Sequence, residues 1–100
     1  MAKPVFLTPS AQEDLDKVLS YLSENWGKSV LENFLALYEA KICLISEYPS
    51  RYPFINKKNF LRKAVLTNHN MILYREEKGK IEIISIFDTR QHPDNIKKPG

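Results

Sequence analysis

The protein has 100 residues and a mass of 11.7 kDa, which predicts one domain with a single small hydrophobic core. Its 43% hydrophobic and 27% charged residues exclude a disordered or collagen-like chain. No apolar run approaches the roughly 18 residues of a membrane span, and no secretory signal precedes the first polar segment. We therefore expect a cytoplasmic protein. One cysteine and two scattered histidines predict no disulfide, metal or cofactor site.

Charge is distributed unevenly along the chain. The formal net charge is +3, but residues 1–50 hold four Lys/Arg against seven Asp/Glu, whereas residues 51–100 hold eleven against five. A basic half on a small domain favours an anionic partner, such as nucleic acid or an acidic protein segment. The alternative is a charged surface that serves only solubility.

The first half predicts a strand and two helices. A short strand ends near Leu7, and Thr8 with Pro9 in the first turn begins a helix. Apolar residues at helical spacing give this helix one buried face, with Trp26 as a core anchor, and Gly27 ends it. A second helical stripe runs from Ser29 to Tyr48, where Pro49 stops it. Within that stripe Cys43 is expected to be a small buried or half-buried side chain.

The second half predicts a loop over residues 49–60 and then three strands. The strands are Leu61–Leu66, Met71–Glu76 and Ile81–Phe87, separated by two four-residue hairpin loops. Apolar residues occur on both strand faces, so one face should carry the helices and the other should be partly covered by the tail or a partner. The predicted fold is α+β, in the order β-α-α-β-β-β, with the N-terminal strand and helical hairpin packed on an antiparallel sheet. Residues 1–100 then form a single domain.

Counting the strand register from those loops places two arginines together. Leu66 falls opposite Met71, so Arg62 falls opposite Arg75, and Arg75 also falls opposite Glu82. Facing arginines repel unless an anion such as phosphate lies beside them. The alternative is an ordinary ion pair between Arg75 and Glu82, with Arg62 directed into water.

The segment Phe87–Pro93 places Arg90 and His92 just after the last strand. An imidazole can act as an acid or base near neutral pH, and a guanidinium can stabilise charge on a phosphate in transit. A simple strand-ending turn is the alternative. His69, in the first hairpin loop, reads as a turn residue.

Three lysines widen the basic surface. Lys57, Lys58 and Lys63 are candidates for binding nucleic acid, although a solvated loop explains them equally well. Aromatic residues interleave with them, which suits either base stacking or packing of the loop on the sheet. These aromatic residues are Tyr52, Phe54 and Phe60.

Several fragments carry a family resemblance. In chain order they are Leu7–Leu15, Tyr21-Leu22, Tyr48-Pro49, Arg62-Lys63, Leu73-Tyr74-Arg75 and Ile83–Pro93. Together they resemble the RelE/ParE superfamily of bacterial toxin–antitoxin pairs, known for growth inhibition and plasmid stabilisation. The resemblance implies a compact toxin neutralised by an antitoxin protein that wraps it, with a homodimer or a toxin–antitoxin hetero-oligomer as the assembly.

The resemblance leaves two activities open. RelE-like members are mRNA interferases that cut messenger RNA on the ribosome without a metal, by orienting the RNA backbone; Arg62, Arg75, Arg90 and His92 would then be the catalytic residues. ParE-like members inhibit DNA gyrase by protein contact and are not enzymes. The long helical hairpin and the Tyr48-Pro49 segment look closer to the ParE-like branch. An inert binding protein derived from a toxin is the third alternative.

Overall fold

The computed structural model describes residues 2–88, which form two helices and a five-stranded mixed sheet. The elements are β1 (Val5–Leu7), α1 (Pro9–Asn25), α2 (Lys28–Glu47), a 3₁₀ turn (Pro49–Arg51), β2 (Phe54–Asn56), β3 (Leu61–Val65), β4 (Asn70–Glu77) and β5 (Lys80–Asp88). The sheet order is β1-β5-β4-β3-β2. The predicted α+β architecture is confirmed. The sheet is antiparallel except for β1, which pairs with β5 in parallel.

Helix α1 begins as its sequence predicts but ends before Trp26. The Thr8 hydroxyl oxygen accepts a hydrogen bond from the Ala11 backbone N–H at 3.0 Å, with Pro9 in the first turn. The buried side chains follow the helical stripe: Ala11, Leu15, Val18 and Leu22. The prediction that Trp26 anchors the core is wrong, because this residue follows the last helical residue and its side chain is 52% exposed.

Helix α2 starts directly after Gly27, whose φ of +90° is a conformation that favours glycine. Phe34 and Ile45 are buried, and Pro49 follows the end of the helix, as predicted. The prediction that Cys43 is buried or half-buried is wrong, since this residue is exposed. Two residues turn an α-helix by about 200°, so Cys43 points away from the core side that Ile45 occupies.

Residues 49–60 are more ordered than the predicted loop. The 3₁₀ turn follows α2 directly, and β2 pairs with β3, with Phe54 opposite Arg62 and a register irregularity before Asn56. The prolines and asparagines of this segment indicated a loop. A three-residue strand is too short to show the alternation of apolar and polar residues by which strands are recognised.

The two faces of the sheet differ in cover. Helix α1 packs against β5 and β1, and α2 packs against α1 and the 3₁₀ turn. The face under the helices holds the buried residues Ala64, Ile72, Tyr74, Ile81, Ile83 and Ile86. The opposite face presents Phe6 and Val65 as exposed side chains and Met71, Leu73 and Phe87 as half-buried ones. Helices therefore cover one face, as predicted, and the other retains an apolar surface.

Candidate functional site: two arginines on opposite faces

The turn between β3 and β4 contains a bulge that shifts the predicted register by one residue. The Asn70 carbonyl oxygen accepts hydrogen bonds from the backbone N–H of Leu66 at 3.0 Å and of Thr67 at 3.2 Å. Two residues of one strand thus oppose one of the other, as in a β-bulge. Val65, not Leu66, consequently lies opposite Met71.

This shift separates the two candidate arginines. Arg62 lies opposite Tyr74, so the prediction that it faces Arg75 is wrong. Because neighbouring residues of a strand point to opposite faces, Arg75 lies on the other side of the sheet from Tyr74 and Arg62. Arg62 and Arg75 therefore form no shared groove that could hold a phosphate.

Arg62 is held by the segment that joins α2 to β2. One terminal nitrogen donates hydrogen bonds to the carbonyl oxygen of Tyr52 at 2.6 Å and of Ser50 at 3.4 Å. The guanidinium carbon lies 3.8 Å from the centre of the Phe54 ring, a cation–π contact. The alternative that Arg62 is directed into water is also wrong: its main contacts hold this segment on the sheet.

Tyr74 completes the same cluster. Its hydroxyl is buried and donates a hydrogen bond to the Pro49 carbonyl oxygen at 2.6 Å, and its ring meets the Tyr52 ring edge to face. Burial, aided by Tyr52 and Glu76 and opposed by Arg62, raises the pKa of Tyr74 to about 12. Arg62 and Tyr74 thus act together as anchors of the 3₁₀ turn.

Arg75 is paired with two carboxylates. Its Nε atom lies 3.0 Å from Glu82 Oε1, and a terminal nitrogen lies 3.4 Å from Glu77 Oε1. The predicted opposition of Arg75 and Glu82 is confirmed, because the β4–β5 hairpin closes through a two-residue turn at Lys78 and Gly79, both with positive φ.

The surface depression beside Arg75 carries no excess positive charge. It has a volume of about 340 Å³ and is lined by Asn59, Phe60, Arg75, Glu76, Glu77 and Lys78. Two cations are balanced there by two carboxylates. Electrostatics of this kind do not favour a phosphodiester over a neutral ligand.

The three lysines are separate from Arg62. Lys57 and Lys58 are exposed in the β2–β3 turn, and Lys63 is half-buried on β3, opposite Leu73 on the face that the helices leave open. Within residues 2–88 none of the three forms an ion pair. They provide positive charge that no carboxylate of the described residues neutralises.

The interleaved aromatic residues divide into two groups. The Tyr52 ring packs against Tyr74 and the Phe54 ring against Arg62, so the packing interpretation is correct for both. Phe60 is 66% exposed and has a φ of +57°.

His69 is exposed in the β3–β4 turn, as a turn residue would be. Arg90 and His92 lie outside the described residues.

Sequence reasoning missed the role of Asp14. Its Oδ2 atom accepts hydrogen bonds from Ser85 Oγ at 3.0 Å and from the Ile86 backbone N–H at 3.2 Å. These groups lie on β5 beyond the last residue that β1 pairs, Ile83. Asp14 thus satisfies an amide on an otherwise open sheet edge. The sequence offered one indication of this role: Asp14 stands next to Leu15, a buried residue of α1. A carboxylate in that position can reach the backbone of a strand on which the helix packs.

The described part of the chain contains neither a cluster of metal ligands nor a helix that could span a membrane. Among residues 2–88, no three His, Cys, Asp or Glu side chains converge as metal ligands. Neither helix in this range has the length and hydropathy needed to cross a membrane.

Comparison with known proteins agrees with this fold. The model of the ParE toxin family of type II parDE toxin–antitoxin systems matches residues 5–93. No curated protein is similar enough in sequence to count as a match.

Three of the solved structures with a similar fold come from bacteria. The first belongs to the chromosomal ParDE toxin–antitoxin system of P. aeruginosa, with a TM-score of 0.73, 13% identity, and coverage of 87% of this chain and 96% of that one. The second belongs to the toxin–antitoxin complex RelBE2 of Mycobacterium tuberculosis, with a TM-score of 0.61, 20% identity, and coverage of 88% and 99%. The third is the protein HP0894 of Helicobacter pylori, with a TM-score of 0.55, 17% identity, and coverage of 88% and 96%.

Two helices on a five-stranded mixed sheet are the fold of RelE/ParE-type toxins. Since the family model spans nearly the whole chain, the protein belongs to the ParE toxin family of type II toxin–antitoxin systems.

Proposed function

We propose that this toxin inhibits growth by binding DNA gyrase, as ParE-like toxins do, and that it is not a nuclease. The observation that carries this proposal is the separation of Arg62 from Arg75 by the sheet. Metal-free RNA cleavage depends on positive groups that converge on one phosphate and stabilise its developing charge. Such convergence is missing between these two residues.

The contacts of each arginine support the same conclusion. Arg62 donates to backbone carbonyl oxygens and stacks on Phe54, so moving it to a substrate would release the segment before β2. Arg75 is neutralised by Glu82 and Glu77, and a phosphate would have to compete with both carboxylates. A protein-contact mechanism requires neither group to be free.

The same proposal includes an antitoxin partner. The structural relatives named ParDE and RelBE2 are toxin–antitoxin systems, which supports a protein partner here. Lys57 and Lys58 in the β2–β3 turn and Lys63 on β3 form no ion pair within residues 2–88 and suit an acidic wrapping segment. A hetero-oligomer with that antitoxin is the resting form that we propose.

A supercoiling assay tests the target. Purified toxin is added to DNA gyrase, ATP and relaxed plasmid, and we expect a dose-dependent loss of supercoiling. The variant Arg75→Lys is the matched control for the enzymatic alternative, and it should inhibit as the unmodified toxin does. Full gyrase activity in the presence of folded toxin that still arrests growth would overturn the gyrase target.

A second experiment tests whether the toxin cleaves messenger RNA. The toxin is induced in bacteria that lack an antitoxin for it, and new 3′ ends are mapped on ribosome-bound messenger RNA. We expect growth arrest without codon-phased cuts. Codon-phased cuts in the ribosomal A site would establish the RelE-like alternative, for which Arg62, Arg75, Arg90 and His92 are the predicted catalytic residues. Normal growth with folded toxin present would favour the inert binding protein.

A further inference from the structure

The β2–β3 turn presents an aromatic side chain to solvent in a conformation that a bulky residue rarely adopts. Phe60 is the last residue of the turn, and its φ of +57° lies in the left-handed region that normally holds glycine or asparagine. At 66%, it is also the most exposed large apolar side chain in the described part of the chain. Packing in the core therefore does not explain why this position holds phenylalanine.

Hydrogen bonds within the turn hold Phe60 in this conformation. The Phe60 backbone N–H donates to the Lys57 carbonyl oxygen at 3.1 Å, and the Asn59 backbone N–H donates to Asn56 Oδ1, also at 3.1 Å. A strained backbone conformation that the surrounding contacts maintain is typical of residues that serve binding or catalysis. Because the backbone is already ordered, Phe60 loses little conformational freedom when it contacts another molecule.

Phe60 has apolar and positively charged neighbours in the same hairpin. Ile55 on β2 is 48% exposed, and Lys57 and Lys58 are exposed within the turn. Neither lysine forms an ion pair within residues 2–88. A rigid aromatic residue with charged groups around it is the usual arrangement of a hot spot in a protein interface. The complementary surface is an apolar pocket with carboxylates at its rim.

The surroundings of Phe60 favour a protein over a nucleic acid as the partner. An exposed aromatic ring beside lysines is also typical of single-strand binding, in which bases stack on the ring. Phe60, however, lines the depression in which Glu76 and Glu77 balance the positive charges, so a phosphate backbone gains little attraction there. The exposed side chain of Ile55 is aliphatic and offers no ring on which a base can stack. An apolar pocket on a protein can accept both side chains.

We propose that Phe60 is the anchor by which this toxin binds its target protein. The ring enters an apolar pocket of the target, and Lys57 and Lys58 face carboxylates at the rim of that pocket. The identification of this target as DNA gyrase rests on the proposed function. The role of Phe60 rests only on a protein-contact mechanism, because its exposure and its backbone conformation are properties of the toxin itself. Phe60 should thus be required for toxicity and dispensable for the fold.

Growth arrest and thermal unfolding of the full-length toxin test the anchor. In induced bacteria that lack an antitoxin for it, Phe60→Asn should raise survival at least about tenfold over the unmodified toxin. Asparagine accepts the left-handed conformation, so the unfolding midpoint should fall by less than about 4 °C. Phe60→Leu keeps an apolar side chain under the same backbone constraint and should raise survival by less than about threefold. Val65→Asn, the matched control at another exposed apolar residue, should arrest growth as the unmodified toxin does.

Each other result contradicts the proposal. Full arrest by Phe60→Asn, or an equal loss of arrest with Val65→Asn, would overturn the anchor. A larger fall in the unfolding midpoint of Phe60→Asn would show that Phe60 supports the fold and would also overturn it. Equal loss of arrest in Phe60→Leu and Phe60→Asn would indicate a stacked base and overturn the protein partner.

Biolayer interferometry with purified gyrase distinguishes the anchor from the identity of the target. Phe60→Asn should raise the Kd at least about tenfold. The double variant Lys57→Gln with Lys58→Gln should raise it about threefold to tenfold and make it less sensitive to salt. A double variant that binds as tightly as the unmodified toxin would overturn the acidic rim.

The unmodified toxin separates the two proposals. If it arrests growth but does not bind gyrase, the gyrase target is refuted, and the growth assay alone decides the role of Phe60. If folded toxin neither arrests growth nor binds gyrase, both the target and the anchor are overturned.

Discussion

Arg62 lies opposite Tyr74 on the neighbouring strand, and both side chains donate hydrogen bonds to the backbone that joins α2 to β2. Arg62 reaches Tyr52, and Tyr74 reaches Pro49, each at 2.6 Å. One pair of residues on two strands therefore determines how the end of the helical hairpin is fastened to the sheet. Arg62 therefore has a structural role, whether or not it also contributes to toxicity.

Replacing Arg62 should reduce stability. Arg62→Met keeps an unbranched apolar stem but loses the charged hydrogen bonds and the contact with Phe54, for an expected cost of about 2 kcal/mol in the free energy of unfolding. Urea denaturation followed by circular dichroism measures it. Arg51→Met is the matched control and should cost under about 0.5 kcal/mol, because Arg51 is exposed and its guanidinium stacks on the ring of the neighbouring Tyr48. Equal costs for the two variants would contradict the anchoring role.

Replacing Arg75 should leave both fold and toxicity largely intact. Its ion pairs are partly exposed, so Arg75→Ala should cost under about 1 kcal/mol. Growth arrest on induced expression should persist, because a gyrase-binding toxin needs no free guanidinium at this position. Loss of arrest in an Arg75→Ala variant with an unchanged unfolding midpoint would instead indicate chemistry at Arg75.

Periodicity predicted most of the fold, because the elements are long enough for their burial pattern to be visible in sequence. Leu15, Val18 and Leu22 identify the buried side of α1, and the β4–β5 register follows from a tight turn that places Arg75 opposite Glu82. The sequence pattern does not predict strand register where one extra backbone hydrogen bond sets it. The Asn70 carbonyl oxygen accepts hydrogen bonds from two backbone N–H groups in place of one, and the resulting bulge moves Arg62 away from Arg75.

Contacts between residues distant in sequence could not be predicted either. Asp14 and Ile86 lie 72 residues apart, and nothing in the local sequence around either residue indicates that the two meet. Trp26 illustrates the converse, since it continues the apolar stripe of α1 but follows the residue at which the helix ends. A stripe predicts burial only as far as its helix extends.

Asp14 should protect the open part of the β5 edge. Asp14→Ala leaves the Ile86 amide and the Ser85 hydroxyl without their acceptor, for an expected loss of about 1–2 kcal/mol. Amide hydrogen exchange should accelerate at Ile86. Asp16→Ala is the control: the exposed Asp16 carboxylate accepts a hydrogen bond from Gln12 on the same helix, so its loss should change stability by under about 0.5 kcal/mol. Unchanged exchange at Ile86 would show that Asp14 does not cap this edge.

Tyr74 should make the toxin sensitive to alkali. Burial raises its pKa from an ordinary 10 to about 12, so the folded state binds this proton more tightly than the unfolded state. The resulting stability is fully present below about pH 10 and is lost as pH rises from about 10 toward about 12. Burial also raises the pKa of Tyr38, which contributes in the same direction.

The variant Tyr74→Phe separates these effects. At neutral pH it loses the hydrogen bond to Pro49, for a cost of about 1 kcal/mol. Above pH 10 its free energy of unfolding should decline less steeply than that of the unmodified protein, because only Tyr38 still resists ionisation. Denaturant unfolding at pH 7, 10 and 11 gives the slope, and Tyr38→Phe in the same background should flatten it further. An alkaline decline as steep in Tyr74→Phe as in the unmodified protein would mean that the Tyr74 hydroxyl is not held in its neutral form by burial beneath the 3₁₀ turn.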